Sequence, residues 1–91
     1  MPINAIFLNI DEARMVSGLR EAREKLDGAE GEIVLDFSSV RRVEPSALDE
    51  IEALITIADQ KNVKVVFRAI NVEVYKVLKL VNLTRRMSFV N

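Results

Sequence analysis

Apolar residues along the chain alternate between strand-like and helix-like spacing, and the first such unit covers residues 3–28. The segment from Ile3 to Ile10 is predicted to be a strand, because Ile6, Leu8 and Ile10 fall on one face and Phe7 and Asn9 on the other. Asp11 is a suitable N-cap for a helix near residues 12–26, and Gly28 is a suitable stop. The predicted buried stripe of this helix is Met15, Leu19, Ala22 and Leu26.

The second unit begins at Glu32 and has the clearest pattern. Residues 32–37 are apolar on both faces, which predicts an interior strand. A loop over residues 38–44 follows, in which Val40 and Val43 are expected to point inward. A helix is predicted from Pro45 or Ser46 to Gln60, because proline suits the first turn of a helix. Its predicted buried stripe is Leu48, Ile51, Leu54, Ile55 and Ala58.

The third unit is a strand over residues 64–69 and a helix over residues 72–80, with Asn82 as a left-handed stop. The expected apolar face of this helix is Val74, Val77, Leu78 and Val81. A short strand over residues 87–90 completes the order β-α-β-α-β-α-β, in which helical connections favour parallel strands. We therefore predict an α/β fold in one domain over residues 1–91, with a single-layer, mixed but mostly parallel sheet of about four strands and three main helices.

The amino-acid composition excludes several classes of catalytic and metal chemistry, but it does not identify a function. Apolar residues make up 49% of the 91 residues and charged residues 30%, with a net charge of −1, as in ordinary soluble domains. The chain has no cysteine and no histidine, which excludes thiol nucleophiles, histidine-based catalysis and the usual zinc ligands. We therefore expect no enzyme activity, no cofactor and no metal. With no secretory signal and no apolar run of about 18–20 residues, a cytoplasmic protein without direct membrane insertion is expected.

Charge is distributed unevenly along the chain. Residues 1–60 carry 6 basic and 13 acidic residues, a net −7, whereas residues 61–91 carry 7 basic and 1 acidic, a net +6. Two interpretations are open: the two halves pair with each other in the fold, or they form a dipolar surface that orients a protein partner. The basic segment lacks a nucleic-acid motif, and no phosphate-binding or dinucleotide fingerprint occurs, so nucleic acid is not an expected partner.

The acidic residues are open to ordinary structural interpretations. Asp36 is expected to cap the turn at Ser38 and Ser39. Asp49 with Glu50 or Glu52 could suggest a metal site or an acid–base pair, but neither spacing is specific. A solvated helix face is the favoured interpretation of these three residues.

The central stretch Ile33-Val-Leu-Asp-Phe-Ser-Ser-Val-Arg-Arg-Val-Glu-Pro-Ser-Ala-Leu48 resembles the signature of the STAS family, named for sulfate transporters and anti-sigma factor antagonists. That signature is an apolar strand ending in Leu-Asp-Leu, a short loop, and Asp-Ser-Ser-Gly-Leu opening a helix. Residues 64–69 and 71–83 resemble the family's next strand and helix. The resemblance runs from about Ala5 to Val90.

Departures from the signature fall where the family is regulated. Glu44 stands in place of Asp, and Pro45 stands where many bacterial antagonists carry a phosphoserine. Proline has no hydroxyl, so that position cannot be phosphorylated. Ser46 matches the next serine of the signature; the favoured interpretation is a first-turn residue without a regulatory role, and the alternative is a displaced phosphoacceptor that can be phosphorylated. Family members also carry a β-hairpin before the first helix, where this chain has room for one strand.

The resemblance implies a non-catalytic bacterial domain that works through protein–protein contact in signalling, like an anti-sigma factor antagonist. The implied partner is an anti-sigma factor or GHKL-type kinase. The predicted partner-binding residues lie on the loop and at the helix start: Arg41, Arg42, Glu44, Pro45, Ser46, Asp49 and Glu52.

A second hypothesis comes from a different class, because STAS domains also serve as subunits of ABC-type transporters that move phospholipids. Its partner would be an ABC ATPase. Such a constitutive subunit needs no phosphoserine, which fits Pro45. A short N-terminus would also leave an edge strand free to pair with a second copy as a homodimer.

Overall fold

A computed structural model describes residues 5–28 and 31–90 of the chain. Its strands are β1 (Ala5–Asn9), β2 (Glu32–Asp36), β3 (Lys64–Arg68) and β4 (Ser88–Val90), and its α-helices are α1 (Met15–Lys25), α2 (Pro45–Lys61) and α3 (Val72–Leu80). Short 3-10 turns cover Glu12–Arg14, Leu26–Gly28 and Thr84–Arg86. The predicted order of elements is confirmed, and the predicted start of the first strand at Ile3 lies outside the described residues.

The four strands form one sheet in the order β1-β2-β3-β4, and every described pair is parallel. The prediction of a mostly parallel sheet with three helices is therefore confirmed, and β2 is interior as its pattern indicated. Because every step along the chain moves to the next strand in the same direction, right-handed crossovers place all three helices on one face of the sheet.

The core lies between that face and the helices. Alternate strand residues such as Ile33, Leu35 and Phe67 pack with the buried stripes of the helices. Phe67 is fully buried, with its ring centroid 5.0 Å from that of Phe37 and 6.2 Å from that of Phe89. One predicted core residue is wrong: Val81 is 44% exposed, because α3 ends before it and the turn at Asn82 directs Leu83 into the core instead.

The opposite face of the sheet carries no helix among the described residues. Phe7, Val34 and Val66 are register neighbours in one row across β1, β2 and β3 on that face. Val34 and Val66 on the interior strands are 7% and 5% exposed, whereas Phe7 on the edge strand is 68% exposed. Within residues 5–28 and 31–90, helices therefore cover one face of the sheet only.

Ion pairs join the acidic first part of the chain to itself and to the basic last part. Glu50 on α2 has an oxygen 3.2 Å from Nε of Arg20 and the other 3.6 Å from a terminal nitrogen of Arg23, so it links α2 to α1. Its side chain is only 15% exposed, which corrects the expectation of a solvated position. Arg86 lies 3.1 Å from a carboxylate oxygen of Asp59, so the two halves of the chain do pair across elements there.

Candidate partner-binding site at the carboxyl ends of the strands

The connection between β2 and α2 lies at the carboxyl end of the sheet, and two apolar anchors shape it. The N–H of Phe37 donates to the carbonyl of Arg68, and the N–H of Val40 donates to the carbonyl of Phe37, each at 2.9 Å. Val40 is buried and Val43 packs partly buried against the core, as the sequence predicted. Because these two valines point inward, the charged residues between them point outward.

Asp36 closes the first turn of this connection. Its carboxylate accepts a hydrogen bond of 2.8 Å from the N–H of Ser38, as expected from the sequence. Hydrogen bonds from the Ser38 side chain and N–H, helped by the nearby charge of Arg68, lower the pKa of Asp36. This carboxylate is thus engaged in holding the turn.

Glu12 holds the second half of the connection, a role that the sequence did not reveal. One of its carboxylate oxygens accepts hydrogen bonds from the backbone N–H of Arg41 at 2.6 Å and of Arg42 at 3.0 Å. These two bonds lower the pKa of Glu12. The preceding residue, Asp11, caps the 3-10 turn by accepting from the N–H of Ala13 at 3.0 Å, which fixes the backbone from which Glu12 reaches the loop.

The hydrogen bonds of these two carboxylates predict acid sensitivity. A carboxyl group whose folded-state pKa is lowered stabilises the fold above its ordinary pKa, and that contribution is lost as pH falls towards the folded value. Because the ordinary values are 4.5 for Glu12 and 3.8 for Asp36, we expect the loss to begin below about pH 5. Glu12→Gln should remove its share, so the variant's free energy of unfolding should approach that of the wild type as pH is lowered.

Urea unfolding of both proteins between pH 7 and pH 3 measures this difference. The matched control is Glu24→Gln, which removes one carboxylate from an exposed position of α1. A difference between Glu12→Gln and wild type that stays constant down to pH 3 would contradict the role assigned to Glu12.

Helix α2 begins at Pro45 with Glu44 as its N-cap residue, within the predicted bounds. The cap is made by the backbone, because the Glu44 carbonyl accepts from the N–H groups of Ala47 and Leu48 at 2.9 and 3.1 Å. The Glu44 side chain makes no capping hydrogen bond, so its carboxylate is free to face solvent near the positive end of the helix. Ala47 is buried, and Ser46 is exposed in the first turn.

All of the predicted partner-binding residues are exposed on this end of the molecule, namely Arg41, Arg42, Glu44, Pro45, Ser46, Asp49 and Glu52. Asp49 and Glu52 are three residues apart on α2 and so lie on one side of it. A groove of about 1420 Å³ separates α1 and its preceding 3-10 turn from the start of α2, with lining residues that include Glu12, Arg14, Arg42, Glu44 and Pro45. The site therefore offers charges of both signs around an open groove.

The start of α3 is tied to the same loop through Asn71. Its side-chain carbonyl oxygen accepts from the N–H of Val74 at 2.8 Å and caps α3. Its side-chain amide donates to the carbonyl oxygens of Val40 and Arg41 at 3.3 and 3.4 Å. Two residues earlier, Ala69 has a left-handed φ of 59°, which costs an alanine about 1 kcal/mol. The connection between β2 and α2 is thus held by hydrogen bonds from two sides, by Glu12 and by Asn71.

Other chemistries find little support in the described part of the chain. Residues 5–28 and 31–90 contain no group of three acidic residues arranged to hold a metal ion. The same residues form no helix that is both long and apolar enough to cross a membrane. Of the aromatic residues in the basic segment 61–91, Phe67 is fully buried, Phe89 packs against it, and Tyr75 is 40% exposed.

Comparison with known proteins identifies the class. The family profile of the STAS domain matches residues 6–91, almost the whole chain, and the chain belongs to this family. The resemblance read from the central motif is therefore confirmed. No curated protein matches the sequence.

Solved structures agree on the fold. The crystal structure of a Thermotoga maritima protein, described as a candidate anti-sigma factor antagonist, superposes with a TM-score of 0.73 at 23% identity. It matches 100% of this chain and 75% of its own length. An NMR structure of the same protein, TM1081, superposes with a TM-score of 0.78 at 17% identity, over 98% of this chain and 75% of its own. At these identities the similarity establishes the α/β fold.

Proposed function

We propose that this protein is a bacterial, cytoplasmic regulator that binds a protein partner without catalysis, like an anti-sigma factor antagonist. The proposed partner is an anti-sigma factor or GHKL-type kinase. The observation that carries the proposal is the outward display of seven predicted site residues on the β2–α2 loop and the first turns of α2, with the loop held by Glu12 and Asn71. A loop held from two sides is a preorganised surface, which lowers the entropy cost of binding.

The arrangement of charges on this surface is suited to orienting a protein partner as it binds. Arg41 and Arg42 lie on the loop, and Asp49 and Glu52 lie along the first turns of α2, all exposed. Opposite charges separated in this way guide a complementary partner into one orientation and raise its association rate at low salt. The affinity of the complex is therefore expected to fall as salt increases.

The proposed function does not include the phosphorylation switch of related antagonists. Pro45 occupies the first position of α2 and carries no hydroxyl. Ser46 is exposed, but it directly follows the proline and comes two residues after Glu44, whose negative charge would disfavour a phosphate there. We expect mass spectrometry of protein isolated from its host to find Ser46 unmodified, and stoichiometric phosphorylation there would contradict a constitutive binding surface.

Charge reversal on α2 tests the surface directly. Asp49→Lys should weaken binding to the cognate partner about tenfold or more, because it replaces an attractive contact by a like-charge one in the centre of the site. Glu52→Lys should act in the same direction, and isothermal titration calorimetry measures both effects.

The matched control is Asp27→Lys, which makes the same charge change at an 82% exposed residue after α1, remote from the start of α2. It should change affinity by less than twofold. Equal affinities for Asp49→Lys, Glu52→Lys and the control would remove α2 from the binding surface.

Pro45 also fits a second candidate, a constitutive subunit of an ABC-type phospholipid transporter. Such a subunit would use the same preorganised surface and would need no hydroxyl at the first position of α2. Purification of the protein from its host under native conditions separates the two candidates. A GHKL-type kinase recovered in stoichiometric amount supports signalling, and an ABC ATPase supports transport.

A further inference from the structure

A small apolar socket lies beside the loop, where β4 ends and α3 begins. It has a volume of about 310 Å³ and is lined by Ile70, Asn71, Val72, Tyr75, Phe89 and Val90. Three of these residues are apolar and exposed to an unusual degree: Val72 at 67%, Val90 at 49% and Tyr75 at 40%. Half of the large exposed apolar residues among those described thus surround one depression. Such concentration is typical of a binding surface.

The socket has a firm floor. The rings of Tyr75 and Phe89 meet edge to face, with centroids 5.2 Å apart and an interplanar angle of 69°. Phe89 in turn packs against the buried Phe67. An apolar group that enters the socket would therefore contact side chains already fixed by the core, and it would lose little by ordering them.

The socket is continuous with the proposed partner surface. Asn71 is part of its wall, and the amide of Asn71 donates to the carbonyl oxygens of Val40 and Arg41 on the loop. Both features lie at the carboxyl ends of the parallel strands, where ligands of open α/β sheets commonly bind. A partner seated on Arg41 and the start of α2 would reach the socket without leaving this end of the molecule.

The residues beside the socket are mainly basic. Lys76 and Lys79 follow Val72 and Tyr75 by one helical turn and so lie on the same sides of α3. Glu73 is the acidic residue of this helix, and it lies 4.0 Å from the ammonium of Lys76 in an exposed pair. Lys79 has no ion pair within residues 5–28 and 31–90. The surroundings would favour an occupant with carboxylates beside its apolar group.

From this geometry we infer that the socket is the apolar anchor point of the same protein interaction, and that its occupant is a partner segment with an apolar side chain between acidic residues. The inference rests on the proposed function and adds the source of affinity. Exposed charges contribute little net binding energy, whereas apolar groups that fill a rimmed pocket dominate it.

Three substitutions of exposed α3 residues test both the socket and the charge of its occupant. Val72→Glu should weaken binding about tenfold or more, because it places a carboxylate against an acidic segment. Val72→Lys should weaken binding less, because its charge is complementary. The control Leu80→Glu alters an 82% exposed residue outside the socket and should change affinity by less than twofold.

Circular dichroism and thermal unfolding establish that the variants are folded before affinity is measured. Equal losses for Val72→Glu and Leu80→Glu would overturn the socket as an anchor point. A larger loss for Val72→Lys than for Val72→Glu would overturn the acidic character of the occupant.

Photo-crosslinking in the host separates a failure of this inference from a failure of the proposed function. The photoreactive residue p-benzoylphenylalanine replaces Tyr75 in the socket, Asp49 on α2, or Leu80 as the control. We expect crosslinks from the first two positions to one protein, and the crosslinked peptide from the Tyr75 position should carry an apolar residue flanked by Asp or Glu.

Each remaining outcome overturns a definite claim. Crosslinks from the Asp49 position alone leave the proposed function in place and overturn the inference that the socket is an anchor point for the partner. Crosslinks from the socket to a basic peptide, or to a second copy of the chain, overturn the stated occupant. Crosslinks at neither position, or no more than from the Leu80 position, overturn both.

Discussion

Phe67→Ala should destabilise the protein by about 3–5 kcal/mol, the largest effect we expect from a single substitution. The Phe67 side chain is fully buried in the central region of the sheet, between the rings of Phe37 and Phe89. Its removal leaves a cavity that the surrounding strands cannot close. Because small domains are stable by only about 5–15 kcal/mol, the variant should lose much of its margin and unfold about 12–40 °C lower.

The sheet itself provides the control. Phe7 belongs to the same sheet but lies on the uncovered face and is 68% exposed. Phe7→Ala should therefore cost less than about 1 kcal/mol, since little apolar area returns to water. Urea unfolding followed by circular dichroism measures both variants, and similar costs for the two would contradict a one-sided core.

Asn71→Ala should have the second largest effect, because one side chain performs two tasks. It caps α3 through Val74, and it donates to the carbonyl oxygens of Val40 and Arg41. Loss of an N-cap costs about 1 kcal/mol and loss of the loop contacts about 0.5–1.5 kcal/mol more, so we expect a total near 2 kcal/mol. The loop and the start of α3 should also separate more readily.

Asn71→Asp separates these two tasks. An aspartate still caps the helix, but it cannot donate to the two carbonyl oxygens and places its charge beside them. Amide hydrogen exchange then distinguishes the variants: Arg41 and Arg42 should lose protection in both, whereas the first turn of α3 should lose it only in Asn71→Ala. Unchanged exchange of the loop amides in Asn71→Asp would show that the loop is held without Asn71.

The sequence predicts helices and strands well here because few apolar residues depart from a simple period. Helix α3 was predicted at its observed bounds from its apolar spacing, and Asn82 marks its end. The exposure of Asp49 and Glu52 was predictable for the same reason, because the apolar stripe of α2 leaves only one direction for polar residues.

Contacts between distant parts of the chain were not predictable from local patterns. Glu12 and Arg41 are far apart in sequence, and only the fold brings the carboxylate to the loop. Glu50 stands on the polar side of α2 by its spacing, yet α1 covers it with Arg20. Ala69 adopts a left-handed φ, which cannot be predicted from its residue type. Each of these three features depends on how the helices and strands pack together, and the spacing of apolar residues along the chain does not contain that information.

The succession of strands in the sheet has a consequence for how the protein is made. Each strand pairs beside the one that precedes it in the chain, so none has to be inserted between two partners that have already met. A ribosome releases the chain from its amino end, and every newly released strand finds its docking edge already synthesised. Assembly can thus keep pace with translation, with β4 and the aromatic floor of Phe89 added last.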